Sequence, residues 1–149
     1  MTLFVRILQT GTLLSTVAFL LSVLYQIYAR FLLASAPPWT EEASRLFFLY
    51  AMGFAAGLAL KDQEYVFLDI LYRRLSKVAR VWLDHVVALL ISMLFLVMAG
   101  YGVEFFILGL SEQSPSMRIP MAVAFGSIIV MAEGLFIFSL VTLFKKSGS

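Results

Sequence analysis

The sequence has no cysteine, a single histidine (His85) and charged residues at only 13% of its positions. Without cysteine there is no disulfide, no thiolate metal site, no thiol nucleophile and no haem attachment through a Cys-x-x-Cys-His element. A lone histidine, with no Gly-rich phosphate loop and no nucleophile beside a base, gives no support to catalysis. Soluble domains carry about 25% charged residues, so roughly half the usual charge is missing. The net charge of +2 is too small to point to nucleic acid. What fills the gap is apolar surface, at 62% of residues.

That apolar surface is gathered into four runs, 7–33, 43–60, 86–103 and 119–144. At about 1.5 Å per residue each can cross a hydrocarbon core of about 30 Å, with modest tilt or thinning where needed. Backbone polar groups in lipid must be satisfied within the segment, so the runs are helices. The expected fold is an all-α membrane protein of one domain, 1–149, with spans at about 7–33, 41–60, 83–108 and 119–144. Ala34-Ser35-Ala36 resembles a leader cleavage site. The apolar run before it is longer than a leader's core, however, and Pro37 and Pro38 follow it, so the first span is expected to be retained.

Lys and Arg near span ends set orientation. Arg6, Lys61, Arg73, Arg74, Lys77, Arg80, Lys145 and Lys146 fall at the N-terminus, the second connection and the C-terminus; Arg30, Arg45 and Arg118 belong to the other side. This bias predicts both termini in the cytoplasm (N-in/C-in). The outer connections 34–40 and 111–118 are short, hold Pro37, Pro38, Pro115 and the acid Glu112, and are flanked by Pro120 and the acids Glu41, Glu42 and Glu104. Proline removes a donor and disfavours helix in the residue before it, so both connections mark helix boundaries. The inner connection differs. Phe67, Leu68, Leu71, Leu75, Val78 and Trp82 recur at helical spacing, with Arg73, Arg74, Lys77 and Arg80 around the rest of the circumference. This predicts an amphipathic helix at about 65–80, lying in the membrane interface against anionic lipid. It serves as an anchor, a docking surface, or both.

Three further features carry alternatives. Thr40 is placed to cap the second span, with Glu41 and Glu42 in the first turn where the helix dipole favours acids. Arg45 is within helical reach of either acid, and Trp39 sits where an aromatic belt residue belongs. This is either a well-made helix end or a subunit contact. Gly53 and Gly57 form a GxxxG pair among alanines, which permits close helix approach within this chain or with another. Glu133 lies inside the fourth span, where an acid is costly; it is protonated and hydrogen-bonded, paired with another chain, or part of an ion site. At comparable depth the chain offers only the hydroxyls of Ser15, Thr16 and Ser92. Asp84 and His85 sit at the start of the third span as interfacial hydrogen-bonding residues.

The series Pro38-Trp39-Thr40-Glu41-Glu42, then Arg45, then Gly57-Leu58-Ala59-Leu60 and Val66-Phe67-Leu68-Asp69-Ile70-Leu71 resembles the small permease (DctQ-type) subunit of tripartite ATP-independent periplasmic (TRAP) transporters. The element Ser114-Pro115-Ser116-Met117-Arg118-Ile119-Pro120 is similar to the one that opens that family's fourth span. Where members often have Gly-His before the Val-x-x-Asp-x-Leu run, this chain has Glu64-Tyr65, so no role of that histidine carries over. The resemblance implies a non-enzymatic, multi-pass protein of the bacterial inner membrane. It would scaffold a large permease subunit in sodium-coupled uptake of an organic acid delivered by a periplasmic solute-binding protein. It implies no cofactor, with sodium used by the complex and not bound here. It also raises Trp39, Glu41, Glu42, Arg45, Gly53, Gly57 and Asp69 as subunit-contact candidates. The competing expectation is a self-sufficient homodimeric transporter built around Glu133.

Overall fold

A computed structural model describes residues 2–33, 37–61 and 76–147. They form four helices: α1 (Thr2–Leu32), α2 (Trp39–Lys61), α3 (Lys77–Gly109) and α4 (Ala122–Ser147). All four are long and apolar enough to cross a membrane, and no strand forms among the described residues. Several hydroxyls inside the spans are satisfied by their own helix. Thr12 and Ser22 donate to the carbonyls of Leu8 and Ala18, and Ser44 and Ser127 to those of Glu41 and Ala124.

The helix ends differ from the expected ones in two places. Helix α2 opens at Trp39, so Thr40 is inside the first turn and is no cap. Its buried hydroxyl instead donates back to the Pro37 carbonyl at 2.8 Å. Helix α3 opens at Lys77, with Ser76 as its cap accepting from the Ala79 amide at 3.3 Å. Lys77 and Arg80, expected at the end of a separate interfacial helix, therefore belong to the first turn of α3. The remainder of that expected helix, with Asp69, Arg73 and Arg74, lies outside the described residues. At the far end α3 tightens, the amides of Leu110 and Ser111 donating to the carbonyls of Ile107 and Leu108.

The helices pack as a row in the order α1, α2, α4, α3, with the major contacts only between neighbours in that row. Helices α1 and α3 are thus peripheral, and large apolar side chains such as Leu13, Leu21, Phe31, Leu89, Met93 and Ile107 are exposed along them. In a membrane these face acyl chains or another protein. The densest apolar packing, Leu8, Leu60, Leu135 and Phe138, lies at the end of the row that carries the termini. There Phe4 of α1 reaches Phe138 of α4, their ring centroids 5.7 Å apart.

Helices α2 and α4 meet backbone to backbone. A Cβ added at Gly57 would stand 3.2 Å from Gly134 Cα and 3.2 Å from Leu8 Cδ1; one at Gly53 would stand 2.9 Å from the Ser127 carbonyl oxygen. The GxxxG pair is therefore spent inside the chain. The α3–α4 contact is also close, since a Cβ at Gly109 would fall 2.6 Å from Ala122 N. A buried polar stitch supplements it: Ser92 and Ser139 stand 2.7 Å apart and both reach the Ala88 carbonyl at 2.8 Å. Two hydroxyl hydrogens serve those three contacts, so one hydroxyl donates to the carbonyl and the other to its neighbour.

Substituting Gly57→Leu should force α2 and α4 apart and destabilise the chain by about 1–3 kcal/mol, as overpacking does. Gly100→Leu is the control, because a Cβ there meets nothing within 4 Å. Thermal unfolding in detergent checks both. An unchanged midpoint for Gly57→Leu would mean that the two helices do not meet at this glycine.

Candidate functional site

Two places in the molecule hold polar chemistry beyond what the helices need. The first is the N-terminal end of α2. Pro115 and Pro120 break the chain between α3 and α4, and the segment folds back on itself. An isolated antiparallel bridge joins Gln113 to Pro120, the Ser114 amide donates to the Ile119 carbonyl at 2.8 Å, and the Met121 amide to that of Glu112 at 2.9 Å. Arg118 turns the tip with φ of 54°, the left-handed region that a non-glycine residue enters only at a cost.

This hairpin presents two consecutive amides to α2. The N–H groups of Ser116 and Met117 both donate to Glu42 Oε2, at 3.1 and 2.7 Å. Successive amides aimed at one anion form a small binding concavity, and here the anion comes from the same chain. Glu42 therefore pins the α3–α4 loop to the start of α2. Arg45 pairs with Glu41 at 3.3 Å, both side chains well exposed. Trp39 stacks on Tyr25 of α1, centroids 5.8 Å apart, and Tyr50 donates to the Val123 carbonyl at 2.7 Å. Between α2 and the hairpin lies a mainly apolar cleft of about 410 Å³, lined by Leu46, Leu49, Met117 and Ile119 together with Glu42 and Arg45. The Ser114 hydroxyl is buried nearby without a hydrogen-bond partner.

The second place is Glu133. It is exposed on α4, roughly 16 Å along the axis from Ala122, with the apolar run continuing to Phe144 beyond it. Its neighbour Gly134 turns the other way, onto Gly57, which lies about 6 Å from the Lys61 end of α2. Within the apolar span of α4, Ala122–Val141, Glu133 lies close to the middle. No hydrogen bond or ion pair reaches it among the described residues. An acid left to acyl chains costs about 2.5–3.5 kcal/mol at a helix centre, if Glu resembles Asp there, and less toward an interface. Of the hydroxyls at comparable depth, Ser92 is already engaged with Ser139.

A family model described as "Tripartite ATP-independent periplasmic transporters, DctQ component" matches residues 19–147. The chain belongs to this DctQ family. It is accordingly a multi-pass membrane protein and a small membrane subunit of a TRAP transporter, within a family of transporter components and not of enzymes. DctQ components work with a large permease and a solute-binding protein. No curated protein matches the chain closely enough to add a nearer relative.

Seen on the DctQ chain, the sequence candidates separate into groups. Trp39, Glu41, Glu42 and Arg45 do share one end of α2, but Glu42 faces the hairpin and leaves Arg45 to Glu41. Gly53 and Gly57 are buried between helices of this chain, where a partner has no access. Glu104, counted with the outer connection, lies within α3 and is exposed. His85 Nδ1 donates to the Val81 carbonyl at 2.8 Å, one turn back on its own helix. Sequence reasoning missed the capping role of Glu42, the Tyr50–Val123 bond and Gly134. Only the last left a usable signal, a small residue on α4 able to complement the glycines of α2. Among the described residues no three His, Asp or Glu side chains converge on a point where a metal could sit.

Replacing Glu42 by Ala should free two amides and loosen the outer hairpin, at about 1–3 kcal/mol for bonds to a charged acceptor. Arg45→Ala should cost no more than about 0.5 kcal/mol, the scale of an exposed helical ion pair. Hydrogen exchange at Ser116 and Met117 checks this. Exchange that quickens in Glu42→Ala and not in Arg45→Ala is the expected result, and equal protection in both would show the cap to be idle.

Proposed function

We propose that this DctQ chain is the static, non-catalytic membrane subunit that braces the large permease subunit during sodium-coupled uptake of an organic acid. In this reading the protein resides in the bacterial inner membrane with both termini in the cytoplasm. The Glu42-pinned hairpin then faces the periplasm, on the side from which a solute-binding protein delivers its cargo. The basic segment between α2 and α3 lies against anionic lipid on the cytoplasmic side. Substrate and sodium are handled by the large subunit, and this chain binds no cofactor.

The observation that carries the reading is the open row of helices. Its buried span hydroxyls Ser44, Ser92, Ser127 and Ser139 are used internally, and its contacts are backbone-close glycine seams that suit rigidity. Its peripheral helices α1 and α3 carry broad apolar faces that no other described residue covers. A solute path needs converging polar ligands or broken helices, and the spans have neither. The exposure of Glu133 also favours a second reading, a homodimer that transports unaided.

Mild-detergent pull-down of the tagged chain from its native membrane, with mass spectrometry, separates the two. The scaffold reading expects a much larger multi-span permease in stoichiometric amount, and no solute uptake by vesicles holding this chain alone. Recovery of only this chain, as a dimer that moves solute and loses that activity in Glu133→Gln, would replace it with the second reading.

A further inference from the structure

We infer that the cleft between the start of α2 and the α3–α4 hairpin holds one phospholipid with a primary-ammonium headgroup (phosphatidylethanolamine). Its phosphate sits on Arg45, its ammonium on Glu41, and the upper part of one acyl chain runs along Leu46 and Leu49. The inference needs only that the chain spans a membrane and does not depend on the scaffold reading.

The order of side chains along α2 leads there. Trp39, stacked on Tyr25 of α1, is the first residue of the helix, where an aromatic belt residue marks the headgroup level. At about 1.5 Å per residue, Glu41 lies about 3 Å along the axis from it, Arg45 about 9 Å and Leu49 about 15 Å. The headgroup layer is about 5–8 Å deep on each side of the hydrocarbon. The α2 wall of the cleft therefore passes from acid to base to apolar side chain as it crosses from that layer into the acyl region. Met121 and Ala124, at the start of α4, line the same cleft and continue its apolar part.

Charge complementarity selects the occupant. In phosphatidylethanolamine the ammonium is outermost, the phosphate next and the acyl chains below, the same order as acid, base and leucines on α2. Arg45 carries five N–H donors, and its Nη2 contact with Glu41 Oε1 at 3.3 Å uses one of them. The guanidinium can still meet two phosphate oxygens side by side, the arrangement its planar fork suits best. Glu41 is well exposed, and its second oxygen can accept from the ammonium. A quaternary ammonium has no N–H to donate, and an anionic headgroup without an amine sets negative charge against Glu41. Phosphatidylcholine and phosphatidylglycerol therefore both fit less well. Glu42 takes no part, being held by the Ser116 and Met117 amides.

Size points the same way. At about 410 Å³ the cleft holds no more than a single turn of a helix about 10–12 Å across, so it suits a headgroup and part of a chain and not a further span.

The test uses the whole transporter, purified in mild detergent and exchanged into vesicles of equal phosphatidylethanolamine and phosphatidylcholine. A photo-crosslinking residue replaces Leu49, and adducts on this chain are identified by mass. The expected result is a phosphatidylethanolamine adduct well in excess of phosphatidylcholine. Arg45→Ala should lower it about tenfold, the lower end for hydrogen bonds to a charged group. That variant leaves the fold in place, because the ion pair it removes is exposed. Glu41→Ala should keep a lipid adduct and lose the preference between the two headgroups. Adducts that mirror the vesicle composition in the unsubstituted cleft, or that persist undiminished with Arg45→Ala, would overturn the site. A crosslink from position 49 to the large subunit would overturn it too, since protein would then fill the cleft, and would leave the scaffold reading intact.

Discussion

The close approach of α2 and α4 is the constraint on which the rest of the structure depends. In lipid there is little hydrophobic force to drive one apolar helix against another, so association rests on van der Waals contact and a few hydrogen bonds. Gly57 and Gly134 let two backbones come within contact of each other, and Gly53 lets the Ser127 carbonyl sit where a side chain would otherwise stand. The outer helices are then hung from this pair. Leu8 of α1 closes over Gly57, while Gly109 and the Ser92–Ser139 stitch bring α3 onto α4. The row order follows, since only α2 and α4 have two occupied sides.

Much of this was legible in the residues. The apolar runs revealed four spans, Pro115 and Pro120 the break between the last two, and Gly53 with Gly57 a close-packed face. The family resemblance, carried by Pro38 to Glu42 and the Ser114–Pro120 element, agrees with the match over residues 19–147. What the residues did not reveal was partner choice. Arg45 had two acids within helical reach, and local spacing alone could not exclude Glu42. That acid was claimed by amides more than seventy positions away, a contact set by how α4 returns beside α2. Thr40 misled for a related reason: a threonine just after two prolines looks like a cap, yet its hydroxyl closed on the Pro37 carbonyl instead. The complement of the glycine pair was visible only as a small residue on α4, because Gly134 has no glycine four positions away to mark a motif.

Polar groups are sorted by whether the chain can satisfy them. Hydroxyls turn back on their own helices or meet across a seam. The outer carboxylate of Glu42 finds amides, and the exposed pair Glu41–Arg45 remains where water screens it. Glu133 differs, an acid exposed on a membrane-spanning helix and met by no hydrogen bond or ion pair among the described residues.

The Glu42 contact also has a mechanical meaning. Two rods touching at one point can swing about it. Here α2 is held to α4 near Gly57, and again through the hairpin at Glu42, about 22 Å farther along its axis. Two attachments at opposite ends of one helix fix its tilt as well as its separation, so α2 and α4 form a single stiff beam. A sideways load applied to the outer hairpin would therefore be delivered at the far end of the membrane, with little of it lost to bending between.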